Sequence, residues 1–280
     1  VSAKTALVTG STDGVGRAVA TRLGEAGVRV LVQGRDRGRG EAVVERIRSR
    51  GGEAELLTAD LSVLAEVSEL AEAVRRKTDR LDVLINNAGI GTGRPGAPRE
   101  TSTDGHELRF AVNYLAGFLL THRLRSLVEE SAPARIVNVS SAGQQALDFG
   151  DLMLTRGYSG TRAYCQSKLA QILFTIDLAE ELRGTGVTVN ALHPATYMDT
   201  TMVRESGVAP GSTVEQGAEA ILRLATSPEL EGKTGLYFDG TREARADSQA
   251  YDARARRRLR EVSLELTGLS AGPSGGGKQA

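Results

Sequence analysis

The chain has 280 residues, 40% hydrophobic and 25% charged, with 35 basic residues balanced by 35 acidic ones. That is material for one large α/β domain and too little for two comfortable ones, and the balance leaves no field to attract nucleic acid or an anionic membrane, so neither is an expected partner. Cys165 is the only cysteine, which excludes an intrachain disulfide and a four-thiolate metal site; no metal is expected, and a reducing, cytoplasmic setting fits. The chain enters its first apolar run without a charged and apolar leader, so no signal peptide is expected, and no window approaches the roughly 18 apolar residues of a membrane helix. In chain order, β-branched runs predict strands over 6–9, 28–32, 54–58, 83–86, 135–140, 187–192 and 235–238. Between them, apolar residues at helical spacing predict helices over 15–26, 39–50, 64–78, 106–127, 163–182 and 214–225. Such alternation predicts a doubly wound parallel sheet covered on both faces. Residues 1–240 are read as the binding and catalytic domain. Residues 241–269 are read as a charged helical extension, whose Arg256-Arg257-Arg258 run is taken as a solvated helix face, and 270–280 as a flexible glycine-rich tail.

Between the first strand and the first helix lies Thr9-Gly10-Ser11-Thr12-Asp13-Gly14-Val15-Gly16. Glycines at such a junction permit a sharp turn and a close backbone approach, and the helix N-terminus offers free N–H groups to a pyrophosphate. The end of the second strand reads Gln33-Gly34-Arg35-Asp36. An acid there would accept from a ribose 2′-hydroxyl; glycine stands in its place and Arg35 follows, a guanidinium suited to a 2′-phosphate. NADP(H) is therefore expected over NAD(H). The alternative is that Arg35 merely pairs with a local carboxylate such as Asp36.

Tyr164-Cys165-Gln166-Ser167-Lys168 places a phenol and an amine at i and i+4, on one helix face. A neighbouring ammonium favours the phenolate and suits the tyrosine to proton transfer. The strand 135–140 runs into Ser140-Ser141, and the carboxyl end of a parallel strand is where ligands bind in such sheets. A hydroxyl there can steady charge on a substrate oxygen. Asn113 sits within an apolar helical stretch, where an amide is costly to bury unless satisfied.

Taken in order, Thr9-Gly10-x-x-x-Gly14-x-Gly16, Asp60, Asn86-Asn87-Ala88-Gly89, Asn113, Ser141 and Tyr164-x-x-x-Lys168 resemble the short-chain dehydrogenase/reductase pattern, over residues 4–238. The resemblance implies a single-domain α/β Rossmann fold of seven parallel strands. It implies Tyr164 as general acid or base, Lys168 holding the nicotinamide ribose and lowering the tyrosine pKa, Ser141 positioning the reacting oxygen, and Asn113 supporting a water. The turn residues Gly10, Ser11, Thr12, Asp13, Gly14, Val15 and Gly16 would cradle the pyrophosphate. Asp60 and Leu61 would flank the adenine, and Asn87, Ala88 and Gly89 would lie beside the adenosine, although a purely structural role for that run stays open. Phe110-x-Val-Asn113-x-Leu115, the stretch 147–161 and Gly235-Leu236-Tyr237-Phe238 before an arginine-rich helix resemble the branch of retinol-dehydrogenase-like and protochlorophyllide-reductase-like enzymes. Membrane-bound members carry an N-terminal anchor; none is read here, so retinoid specificity is not expected to carry over.

Two departures stand out. Many members have Pro-Gly after the sixth strand, and this chain has Pro194-Ala195-Thr196; Pro194 would pass the nicotinamide amide, with Thr196 or Thr200 meeting the carboxamide or the phosphates. Asp13 occupies a turn position where many NADP-preferring members carry a base. The expected partner is a small carbonyl or alcohol, met by an apolar lining of Phe149, Leu152, Met153, Leu154, Tyr197, Met198, Met202 and Val203. The resemblance also implies a homo-oligomer, although the extra C-terminal helix is placed to obstruct the usual contacts. An oxidoreductase leads the readings; the others are a lyase or isomerase on the same fold and a non-enzymatic NADP(H)-binding sensor.

Overall fold

Alternation of side chains along the first strand explains why the sheet must be covered twice. In the computed structural model, which describes residues 3–270, β1 (Thr5–Val8) is buried along its whole length. Leu7 faces one core cluster while Ala6 and Val8 face another, as successive strand side chains must. Around it lie β2 (Arg29–Gly34), β3 (Ala54–Thr58), β4 (Val83–Asn86), β5 (Ala134–Val139), β6 (Val187–His193), β7 (Tyr237–Asp239) and β8 (Arg242–Ala244). The order is β3-β2-β1-β4-β5-β6-β7-β8. All neighbours through β7 run parallel, and the strand order reverses between β1 and β4, which makes that junction the switch point where ligands bind in such sheets.

The helices divide between the two faces. α1 (Gly14–Glu25), α2 (Arg37–Arg48) and α7 (Val214–Thr226) feed one cluster through Val19, Leu23, Val43, Ile47, Ile221 and Leu224. α3 (Leu64–Lys77), α4 (Ala116–Glu130), α5 (Gly160–Glu181) and α8 (Ala253–Thr267) feed the other. The short α6 (Thr201–Glu205) follows β6. Among the described residues no helix is long and apolar enough to cross a membrane.

Three expectations need correction. The sheet has eight strands rather than seven, because the chain turns at Gly240 (φ 59°) and β8 adds antiparallel to β7, carrying the sheet past residue 240. The helix expected over 106–127 begins as a π-helical turn, Phe110–Leu115, and becomes α-helical only at Ala116. Arg256 is not on a solvated face: it is buried, and its guanidinium meets Glu180 of α5 at 2.7 Å. Arg260 reinforces that contact on Asp177 at 2.6 Å and Glu181 at 3.1 Å. The expected tail lies outside the described residues apart from Ser270.

One carboxylate joins β1 to the approach of β4. Asp82 is 3% exposed; it accepts from the Thr5 N–H at 2.7 Å and from two nitrogens of Arg80. Burial alone would raise its pKa, but Arg80 and the Thr5 N–H outweigh it and hold the carboxyl below its ordinary value. A group so depressed stabilises the fold above its unfolded pKa of about 3.9 and loses that contribution as pH falls through the folded value. Asp82→Asn is expected to cost about 2 kcal/mol at pH 7. In denaturant titrations the gap to wild type should narrow progressively as pH falls below about 4; a constant gap would contradict the charge argument.

Candidate active site

The turn after β1 is built by cross-links rather than by glycine alone. Gly10 has φ 62°, and a Cβ there would stand 2.8 Å from the Ala88 Cα, so the β4 exit loop packs directly on the turn. The Thr9 hydroxyl accepts from the N–H groups of Asn87 and Ala88 at 2.9 and 3.0 Å, and the Asn87 amide donates to the Thr9 and Gly10 carbonyls at 2.8 and 3.2 Å. Asn87, Ala88 and Gly89 thus brace the turn. The Ser11 hydroxyl is turned inward, donating to the Val8 carbonyl at 2.7 Å and accepting from the Gln33 N–H at 3.0 Å. Gln33, absent from the sequence-based site, accepts from the Gly10 N–H at 3.0 Å and donates to the Ala59 carbonyl at 2.9 Å. Val15 is part of the core, and Gly16 has room for no side chain against the Asn87 amide and the Gly10 carbonyl. Asp13 caps α1, accepting from the Gly14 N–H at 2.7 Å, while its second oxygen accepts from the Thr201 hydroxyl at 2.9 Å. The first turn of a helix still leaves N–H groups without intrahelical acceptors, with the positive end of the dipole behind them.

At the end of β2, Gly34 has a packing reason: a Cβ there would run into the Thr12 side chain. Arg35 is exposed and pairs with Asp60 at 3.6 Å, not with Asp36. Asp60 also accepts from the Ser62 N–H at 2.9 Å. Burial acts to raise its pKa, but the Ser62 bonds and the Arg35 charge prevail and lower it. Leu61 points into the core. Arg39, one helical turn past Arg35, is a second exposed guanidinium, 3.7 Å from both Asp13 and Asp36. Its i+4 spacing from Arg35 was the available signal.

Tyr164, Lys168, Ser141 and Asn113 converge from three elements. α5 starts at Ser159, whose hydroxyl accepts from the Arg162 N–H at 3.1 Å, and carries the phenol and the amine one turn apart. The Lys168 Nζ lies 5.8 Å from the Tyr164 ring centroid. It is 4% exposed and donates to the Val139 carbonyl at 2.9 Å and the Gln171 amide oxygen at 3.0 Å. With three donors on an ammonium, one remains for a ligand, and Gly89 lies close by: a Cβ there would be 3.5 Å from Nζ. Burial without a carboxylate partner pushes the amine down to about 7. The tyrosine departs from expectation. Burial raises its pKa, the Ser141 hydrogen bond pulls the other way, and Lys168 is not among the groups that lower it. An amine whose own charge is weakened by burial stabilises a phenolate less.

Ser141 sits at the exit of β5, where its carbonyl accepts from the Tyr237 hydroxyl at 3.1 Å and the Gln144 amide at 3.0 Å. Its Oγ accepts from the Gly143 N–H at 3.0 Å. The Asn113 carboxamide grips Ile90 from both sides, accepting from its N–H at 2.7 Å and donating to its carbonyl at 3.1 Å, and also donates to Ser167 Oγ at 3.0 Å. A phenol, a serine hydroxyl and a buried amine so grouped can pass a proton to or from an oxygen placed between them.

The outer walls differ from the expected lining. Leu154 is buried, Phe149, Leu152 and Met153 pack against the core cluster on the α5 side of the sheet, and Met198 packs against the cluster on the other side. Tyr197 (φ 48°, 52% exposed) and Met202 remain at the cleft, and Met202 would contact a Cβ on Gly91 at 2.8 Å. Pro194 is buried, while Thr196 is exposed and 3.0 Å from the His193 ring nitrogen. Sequence reasoning also missed Arg109. Buried beside Glu107 at 3.5 Å, it donates to the Gly91 carbonyl at 2.8 Å and the Tyr158 hydroxyl at 2.8 Å, tying the β4 exit loop to the segment before α5.

A nicotinamide dinucleotide suits these groups. The first turn of α1 would meet the diphosphate, Arg35 and Arg39 the adenosine ribose or a phosphate on it, and the free Lys168 donor the second ribose. The family model for short chain dehydrogenase matches residues 4–210. Human retinol dehydrogenase 13 is 37% identical over 97% of this chain and 86% of its own length, and human retinol dehydrogenase 11 is 37% identical over 95% and 86%. Among solved structures, a Pseudomonas aeruginosa RhlG/NADP active-site complex aligns with TM-score 0.69 at 29% identity, covering 85% of this chain and 95% of that one. The landomycin C-6 ketoreductase LanV with bound NADP and rabelomycin aligns with TM-score 0.68 at 31% identity, covering 85% and 94%.

Two outcomes follow from the geometry. Gln171→Leu removes an acceptor from the Lys168 ammonium, so the amine should titrate below its wild-type value, as read by NMR of labelled lysine; an unchanged titration would show that Val139 suffices. Gly34→Asp should weaken both NADH and NADPH in calorimetry, because the new side chain displaces Thr12, and NADPH the more, because its charge opposes a 2′-phosphate. Adding Thr12→Ala should restore NADH binding; tighter NADH binding by the single variant would contradict the steric argument.

Proposed function

The chain belongs to the short-chain dehydrogenases, on the retinol-dehydrogenase branch, and is a nicotinamide-dependent oxidoreductase; we propose that it interconverts an apolar carbonyl and its alcohol with NADPH. The observation that carries this reading is the convergence of Tyr164, Ser141 and Lys168 at the carboxyl end of β5, beside a helix N-terminus open to phosphate. Held by the first turn of α1, by Arg35 and Arg39 and by Lys168, a nicotinamide dinucleotide would supply the hydride for the carbonyl carbon. Tyr164 then gives its phenolic proton to the carbonyl oxygen, or takes it back in the oxidation. Ser141 donates to the same oxygen and holds it toward the phenol. Lys168, its amine pushed down to about 7 by burial, binds the ribose through its one free N–H, and the phenol regains its proton from solvent. Asn113 fixes Ile90 and with it the backbone beside Gly89.

NADPH is favoured by two guanidiniums, Arg35 just after β2 and Arg39 in the first turn of α2, and by the lack of an acid at Gly34. Support for an apolar substrate is the Tyr197 and Met202 side of the cleft, together with relatives named for retinol and for landomycin ketone reduction. Because α8 covers the α5 surface, a homo-oligomer would have to form on another face.

The test is titration with NADPH and NADH, then a carbonyl panel with wild type, Tyr164→Phe, and Arg35→Ala with Arg39→Ala. NADPH should bind more tightly, and the double arginine variant should erase that preference, a loss of about tenfold or more for charge-assisted bonds. Tyr164→Phe should cut turnover about 10²- to 10⁴-fold. Preference for NADH, or turnover that survives in Tyr164→Phe, would overturn the reading.

A further inference from the structure

Helix α8 lies beyond the stretch that the family model matches, residues 4–210, yet it touches both elements that carry the site. On α5 it is held by Arg256 and Arg260, as described above. Toward the interior it presents Ser263, which is fully buried and stands 2.7 Å from the Tyr114 hydroxyl. The Ser263 proton is already committed to the Leu259 carbonyl at 2.7 Å. A serine has one proton to give, so Tyr114 is the donor in the shared bond. Complete burial pushes the Tyr114 ionisation far above its ordinary value, with Ser263 acting weakly against it, so the phenol stays a neutral donor throughout the working pH range.

Tyr114 is the residue next to Asn113 on the π-helical turn. Consecutive helical residues point to different sides. Asn113 reaches inward to Ile90 and Ser167, while Tyr114 reaches outward to α8. Its ring is packed at 5.1 Å from Phe110, 6.0 Å from Phe118 and 6.3 Å from Phe174, centroid to centroid. The turn is therefore pinned on two sides by adjacent residues. π-helical turns are rare single-turn bulges, and rewinding this one as α-helix would rotate both side chains off their partners.

We propose that Ser263 is a positioning residue: through Tyr114 it holds the π-helical turn in the winding that sets the Asn113 carboxamide on Ile90 and Ser167, making α8 part of the catalytic scaffold. For its effect on turnover, the inference rests on the reductase reading above.

Full-length Ser263→Ala, Tyr114→Phe and the double variant test it. Hydrogen–deuterium exchange of the 110–116 amides is expected to rise in all three, with the glycine turn after β1 unchanged. The kcat should fall about fivefold, the scale of one lost hydrogen bond, with KM and NADPH affinity unmoved and with the double variant no worse than either single one. Faster exchange confined to 253–267, or an unchanged kcat well below the unfolding temperature, overturns the proposal. Should wild type reduce no carbonyl, the reductase reading fails separately and the exchange pattern alone decides whether α8 holds the turn.

Discussion

Thr9 and Asn87 sit where the strand order reverses, and between them the exits of β1 and β4 are joined by four hydrogen bonds. Each group in that junction does double work. The threonine hydroxyl accepts from two backbone N–H groups of one strand exit, and the asparagine amide closes two carbonyls of the other. Buried backbone polar groups must find partners, and here they find them across the crevice at the switch point of the sheet. Gly10 and Gly16 follow as consequences, since the junction is so close that neither position accommodates a Cβ. Gln33 extends the same brace to the end of β3. The placement of α1, of Arg35 and Arg39, and of Gly89 beside Lys168 all depend on this one join.

The electrostatics of the site come from burial more than from opposite charges. Lys168 is enclosed with two neutral oxygens and no carboxylate, so its proton is held loosely for a lysine. Tyr164 is enclosed too, and its proton is held tightly for a tyrosine. Desolvation moves an amine and a phenol in opposite directions, so the two groups, nearly alike in water, are driven apart and the amine gives up its proton far more readily than the phenol does. The lysine's contribution is thus different from a fixed positive charge beside the phenol.

Much of this was legible in the sequence. The alternating elements, the glycine turn, and the Tyr164 and Lys168 pair on one helix face are local patterns, carried by spacings of a few residues. What stayed hidden depends on partners far along the chain. Gln33 gains its role from Gly10 and Ala59, Arg109 from Gly91 and Tyr158, Gln171 from an amine whose burial no spacing reveals. β8 escaped notice because its charged residues show no apolar alternation. The π-helical turn has the same composition as the α-helix it precedes, and only the anchoring of Asn113 and Tyr114 distinguishes it. Gly34 is instructive in another way: its reading as a missing acid was chemical, while the structure adds a steric cause in Thr12. The apolar loop residues Phe149 to Leu154 went the other way, since apolar character alone does not separate a pocket wall from a piece of core.

The two edges of the sheet carry charge. At one, β8 exposes Arg242 and Glu243; at the other, Glu55 of β3 is engaged by Arg29 and Lys77. Charged side chains on an edge strand oppose the addition of a further strand. Extension of the eight strands by a neighbouring molecule would have to strip water from ions at either end, so the sheet is bounded by its own sequence, and crowding at high concentration meets repulsion and hydration there instead of unpaired backbone flanked by apolar surface.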